Sequence, residues 1–217
     1  NGYRLGHGQL YDHMFLDGLE DAYQRGCLMG VFAENTAKKY NFSREAQDAY
    51  ALQSLQRAQQ AIAEQRFSEE IVPVVITTPK GELRVTVDEQ PGNARPEKIP
   101  TLKPAFAKDG TVTAANSSSI SDGAAALVLM RESEAKKRGL TPLAKIVAHA
   151  SHAHAPEWFT TAPVQAIEKL LKKTGWAAEE VDLFEINEAF AVVTMAALHD
   201  LKLPQEKVNI NGGACAL

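Results

Sequence analysis

Asp182-Leu183-Phe184-Glu185-Ile186-Asn187-Glu188-Ala189-Phe190-Ala191 is the stretch on which the reading of the fold turns. Within 181–186, Val181, Leu183, Phe184 and Ile186 are apolar and read as a strand, and polar residues stand at its exit. A helix is predicted over 188–201, and Val208 to Ile210 reads as the next strand, running into Asn211-Gly212-Gly213-Ala214-Cys215-Ala216-Leu217. A Gly-Gly turn after an apolar strand permits close backbone approach, and it commonly leads to a helix start or a reactive group. The alternation also extends upstream. A helix over 162–174 ends at Gly175, a strand is expected over 144–149, and a charged helix over 132–138 stops at Gly139. The continuous apolar run 124–130, bounded by Ser121-Asp122-Gly123, suits a strand buried on both faces. Strands alternating with helices predict βαβ crossovers and a mainly parallel sheet, so this half of the chain is α/β.

Residues 1–121 follow a different pattern. Phe15, Leu16, Leu19, Ala22 and Tyr23 predict a helix over 12–24, and a second is expected over 31–39. Ser43 is an N-cap with Glu45 in the first turn of a long helix reaching about Gln65, with Leu52, Leu55, Ala58 and Ile62 as its apolar stripe. Residues 71–77 and 83–87 flank Pro79-Lys80-Gly81 as a hairpin, and the proline-rich stretch 91–104 reads as an ordered loop. This half is an α+β insertion.

With 217 residues and 45% hydrophobic content, the chain can bury a substantial core. A net charge of -4 without clustered cations argues against nucleic acid as a partner. No apolar run approaches the roughly 18 residues that a membrane span needs. The start, Asn1-Gly2-Tyr3-Arg4, shows neither an initiating Met nor an apolar leader core, so a segment of a longer polypeptide is expected. Cys27 and Cys215 lack metal-ligand spacing, and two reduced thiols point to a cytoplasmic setting. There is no internal repeat, and Gly6-His7-Gly8 is no dinucleotide fingerprint, since no strand precedes it.

Asn187 is the first candidate for chemistry. Parallel sheets place ligands at the carboxyl ends of their strands, and a carboxamide there can hold a water or donate to an oxyanion. The same position equally suits the N-cap of a helix beginning at Glu188. Ser117-Ser118-Ser119 is either a serine-rich turn or a place where small hydroxyl residues let a ligand approach the backbone. His152 and His154 would share one face of a strand, but no third metal ligand stands near them in sequence. Cys27 sits in no nucleophile motif, and Cys215 reads as a packed thiol.

Asn187-Glu188-Ala189-Phe190-Ala191, together with Gly212-Gly213-Ala214, resembles the thiolase family of acetyl-CoA acetyltransferases and 3-ketoacyl-CoA thiolases. The likeness covers essentially the whole chain. It implies that Asn187 positions the water of an oxyanion hole, with Glu188 as the signature's supporting acid. It puts Ala189 and Phe190 on the coenzyme A path, Phe190 matching an aromatic that lines the pantetheine tunnel. Thr113-Ala114-Ala115-Asn116-Ser117-Ser118-Ser119-Ile120-Ser121-Asp122-Gly123-Ala124-Ala125 resembles the family's Asn-x-Ser motif, which makes Ser118 the pantetheine contact. Leu102, Phe106 and Ala114 match tunnel or adenine-side positions, and Leu19, Met29 and Phe159 match apolar walls, although each of these types also suits a core. Leu28 stands where some biosynthetic members carry a histidine.

The resemblance further implies a partial, layered αβαβα core carrying a loop domain. Residues 1–121 would cover coenzyme A, 122–141 would end the N-terminal core domain, and 142–217 would begin the C-terminal one. It implies ping-pong acyl transfer in which a cysteine thiolate attacks, a histidine activates it and a second cysteine moves the α-proton. All three are expected outside Asn1 to Leu217, so this chain alone is expected to lack thiolase activity. Acyl-CoA and CoA are implied as substrates, with no cofactor or metal. Tyr3 to Leu19 matches a tetramerisation segment, so a homotetramer or dimer is expected. Acetyl-CoA acetyltransfer leads. Longer-chain 3-ketoacyl-CoA thiolysis and a non-catalytic CoA-binding or oligomerisation module are the alternatives.

Overall fold

The computed structural model describes residues 4–217, so Asn1, Gly2 and Tyr3, including the first residue of the expected tetramerisation stretch, lie outside the described residues. Helix α1, Met29–Tyr40, ends where Asn41 takes the left-handed conformation at φ 56. The Phe42 N–H then bonds back to the Ala37 carbonyl at 2.9 Å. Ser43 opens α2, Arg44–Ala63, its Oγ accepting from the Ala46 N–H at 3.2 Å. Replacing Ser43 with Ala should cost about 1 kcal/mol by leaving that donor uncapped, read as a lower urea midpoint. An unchanged midpoint would discard the cap.

The expected helix over 12–24 is cut short. A π-helical turn spans Phe15–Leu19, and the chain turns extended at Glu20. The Asp21 carboxylate accepts from the Tyr23 and Gln24 N–H groups, and Glu20 pairs antiparallel with Leu28. An aspartate that bonds its own following backbone closes a turn instead of continuing a helix.

Strands β1, Val74–Thr78, and β2, Gly81–Val85, form the antiparallel hairpin, with Val74 opposite Val85. The loop expected over 91–104 overlaps the end of α3, Glu89–Asn93, and contains a 3₁₀ turn, Pro96–Thr101. Helices α4, Glu132–Lys137, and α5, Ala162–Thr174, fall where the sequence places them, and Gly175 ends α5 at φ 74. Helix α6, Ala191–Leu201, begins three residues later than expected, because Glu188 to Phe190 are not yet helical.

The sheet is the main departure from the sequence reading. Residues 124–130 and 144–149 form no strand, and Leu127, Val128, Leu129, Ile146 and Val147 are exposed. A strand exists only through its ladder, and among the described residues neither segment has one. Apolar content signals a wish for burial on two faces, but it cannot supply the neighbouring strands. The segments expected as strands at 181–186 and 208–210 keep one parallel bridge, Phe184 with Val208. There Phe184 N–H bonds the Lys207 carbonyl at 2.8 Å, and Asn209 N–H bonds the Phe184 carbonyl at 2.9 Å.

Two apolar clusters hold these pieces. Phe184, Ile186, Val208 and Leu203 pack with Val164 of α5 and Ala197 of α6. Ala33 and Ala37 of α1 pack with Val112, Phe190, Val192 and Val193. Small residues along α6 (Ala191, Ala196 and Ala197) let three helices approach it closely. The Thr36 and Thr160 hydroxyls, both fully buried, bond each other at 2.6 Å where α1 meets the turn Pro156–Thr161. No helix among the described residues is long and apolar enough to cross a membrane.

Candidate active site

Glu188 is completely buried, and its carboxylate is enclosed by donors. Oε1 accepts from the Tyr50 hydroxyl at 2.8 Å and from Asn209 Nδ2 at 2.8 Å. Oε2 accepts from the Ser54 hydroxyl at 2.7 Å and from the Cys215 N–H at 3.0 Å. Four donors match the four lone-pair directions of a carboxylate, which is how a buried charge is tolerated without a cation. Burial, then the Glu188 charge, push the Tyr50 hydroxyl's pKa far up, so it stays protonated and donates. The Cys215 thiol is pushed up by burial first, then by Glu188, and its Sγ lies 3.8 Å from the Glu188 carbonyl. A thiol held protonated in this way is not a nucleophile.

This knot fixes the backbone around Asn187. The Asn209 side chain accepts from the Ile186 N–H and donates to the Ile186 carbonyl, both at 2.8 Å. Three residues beyond Asn187, Phe190 pairs with Ser117, and the Ser118 N–H bonds the Ala189 carbonyl at 3.1 Å. Asn187 lies between these anchors with its side chain exposed. It does not cap a helix, because α6 starts at Ala191 with Phe190 at the N-cap position.

The serine stretch is positioned from α1 and α2. The Glu34 carboxylate accepts from the Thr111 and Val112 N–H groups, both at 2.8 Å. Asn116, fully buried, donates to Asp48 Oδ1 at 3.0 Å and to the Thr111 carbonyl at 3.1 Å. Ser117 Oγ donates to the Thr113 carbonyl and Ser119 Oγ to Gln90 Oε1, each at 2.7 Å. Ser118 and Ser119 are both exposed, and the Ser118 backbone is held by its N–H bond to the Ala189 carbonyl.

Family models match in two consecutive pieces: "Thiolase, N-terminal domain" over residues 1–133 and "Thiolase, C-terminal domain" over 140–217. The chain belongs to the thiolase family. It is 49% identical to an acetyl-CoA acetyltransferase of Thiocystis violacea and 48% identical to the cytosolic acetyl-CoA acetyltransferase of Mus musculus, matching 100% of this chain and 55% of each relative. A probable acetyl-CoA acyltransferase of Staphylococcus aureus is 46% identical, again over 100% of this chain and 55% of the relative. Two solved thiolases share the fold over the whole chain. The Bacillus anthracis acetyl-CoA acetyltransferase superposes at TM-score 0.93 with 43% identity, and this chain covers 55% of it. A thiolase of Ascaris suum in complex with coenzyme A superposes at 0.91 with 42% identity, and this chain covers 56% of it. This thiolase chain thus spans about half the length of its relatives.

Within the thiolase chain, the apolar candidates are largely gathered together. Met29, Phe106, Phe159, Ala189 and Phe190 pack in or against one cluster beside α1, with the Phe106 and Phe190 rings edge to face at 6.0 Å. Gly30 is required there, since a Cβ would come within 2.2 Å of the Phe106 ring. Leu102 and Leu19 are half-buried and Ala114 is exposed, and all three lie outside that cluster. His152 and His154 meet edge to face at 4.9 Å, but His152 Nδ1 is taken by Lys169 Nζ at 3.1 Å and His154 Nε2 by the Trp158 carbonyl. No group of three or more metal-ligating side chains forms among the described residues.

Sequence reasoning missed Tyr50, Ser54, Asn209 and Glu34. The one available signal was the recurrence of Gln47, Tyr50, Ser54 and Ala58 at helical spacing. These residues form the buried face of α2, whereas Leu52 and Ile62 of the expected stripe lie at its half-buried margin.

Proposed function

We propose that the whole protein is an acetyl-CoA acetyltransferase, interconverting two acetyl-CoA with acetoacetyl-CoA and CoA. The observation that carries this reading is Asn187, exposed between two backbone anchors and one residue from a fully satisfied buried carboxylate. In thiolysis, a thiolate adds to the 3-keto carbon, the C2–C3 bond breaks, and the leaving acetyl-CoA enolate takes a proton. CoA then accepts the enzyme-bound acetyl group. A carboxamide at Asn187 orders a water against the thioester oxygen as its negative charge grows. Ser118 meets the pantetheine arm, and Phe106, Phe190, Met29 and Phe159 wall the path, with Leu102, Ala114 and Leu19 further out. Cys215 is a structural thiol, and we assign the nucleophile, its histidine and the proton-transferring cysteine to the remainder of the whole protein.

Coenzyme A thioesters are substrates in this scheme, and no cofactor or metal takes part. Residues 1–121 act as the loop domain over coenzyme A, 122–141 close the N-terminal core domain, and 142–217 open the C-terminal one. Exposed Leu5, Leu10, Tyr11, Phe15 and Leu16 support a homotetramer built through this segment. The name of the cytosolic mouse relative supports a cytoplasmic setting, and we assign the enzyme to fatty-acid metabolism.

In the full-length enzyme, Asn187→Ala should lower kcat for acetoacetyl-CoA thiolysis about a hundredfold or more. An unchanged rate would remove Asn187 from the mechanism. A 3-ketoacyl-CoA thiolase is the second reading, favoured by Leu28 and by the acyltransferase name of the staphylococcal relative. A kcat/KM that rises with acyl chain length would select it.

A further inference from the structure

Asn187 owes its placement to residues far away in sequence. Tyr50 and Ser54 lie one helical turn apart on α2, and they reach Glu188 across 138 and 134 positions. The Ser54 hydroxyl is fully used, donating to Glu188 Oε2 at 2.7 Å and accepting from the Gly213 N–H at 2.9 Å. Asn209 joins the same carboxylate to both backbone groups of Ile186. The residue before Asn187 and the residue after it are therefore held by one network seated on α2. Each carboxylate oxygen faces one obligatory donor, Asn209 Nδ2 at Oε1 and the Cys215 N–H at Oε2, so an amide in place of the acid would turn hydrogens against hydrogens at one of them.

We propose that Tyr50 and Ser54 are positioning residues for acyl transfer, aiming the Asn187 carboxamide through the Glu188 carboxylate. The proposal rests on the reading of Asn187 as the oxyanion-water donor. Catalytic groups need placement to within about 0.5 Å, and an error of about 1 Å costs on the order of a hundredfold in rate. A carboxylate that loses one of its four donors settles toward the remaining three, and Asn187, the adjoining residue, moves with it.

The test uses the full-length enzyme carrying Tyr50→Phe or Ser54→Ala, each alone and combined with Asn187→Ala. Alone, each should lower kcat about tenfold while KM for acetoacetyl-CoA stays within about twofold. In the Asn187→Ala background the same changes should alter kcat by less than about twofold, because nothing remains to be aimed. Thermal stability should fall in both backgrounds, which separates aiming from folding. Equal losses of kcat in the two backgrounds would overturn the proposal, as would wild-type kcat in Y50F and S54A beside a slow N187A. An N187A enzyme as fast as wild type would overturn the reading of Asn187 itself.

Discussion

Gly212→Ala is expected to destabilise the protein by about 2 to 5 kcal/mol, combining a left-handed backbone penalty with overpacking. Gly212 sits at φ 81, where a Cβ meets its own chain. It also lies against the backbone of α2, so that an added Cβ would stand 2.6 Å from the Ser54 carbonyl oxygen and 2.7 Å from the Ala58 nitrogen. Those two atoms are an i to i−4 hydrogen-bonded pair of the helix, so neither can step aside without opening the ladder. A flexible side-chain tip could rotate away, but a helix backbone has no such freedom. Urea denaturation should show a lowered midpoint with an unchanged slope, and a midpoint within error of wild type would contradict the close approach.

Glu188→Ala should cost about 3 to 5 kcal/mol, at the large end of single-residue effects. Removing the carboxylate leaves the Tyr50 and Ser54 hydroxyls, Asn209 Nδ2 and the Cys215 N–H without their acceptor. Each orphaned buried donor costs roughly 1 to 3 kcal/mol, and relief of the charge's own dehydration offsets only part of the sum. Burial is what makes the loss large, since a solvated carboxylate could be replaced by water. The measurement is again the denaturation midpoint, accompanied by near-ultraviolet circular dichroism of the Tyr50 environment. A variant as stable as wild type would mean that these donors find other partners.

Much of the fold was legible because it is local. Ser43 caps α2 within its own first turn, Gly175 stops α5 with its own backbone angles, and the 74–85 hairpin closes over a two-residue turn. The strands expected at 124–130 and 144–149 do not form, since a ladder depends on partners and not on composition. The π-helical turn at Phe15–Leu19 ended early because Asp21 bonds forward to its own backbone, a choice that periodicity does not record.

The site divides along the same line. Asn187 and Ser118 stand in short motifs, so the sequence points directly at them. Reading 188–201 as one helix hid the extended Glu188 to Phe190 segment and with it the pairing of Phe190 to Ser117. Tyr50 and Ser54 passed as ordinary helix residues, because their partner lies more than 130 positions away. No window of sequence contains both ends of such a contact.

The buried acid also dictates which side of α2 faces inward. Turning the helix by a single residue, about 100 degrees, would offer Ala51 and Leu55 where two hydroxyls now stand. Greasy side chains could fill that space, yet an unsolvated anion would be left bare. A mis-rotated packing thereby carries a desolvation penalty that a wholly apolar contact would not impose, and the carboxylate favours one orientation of the helix.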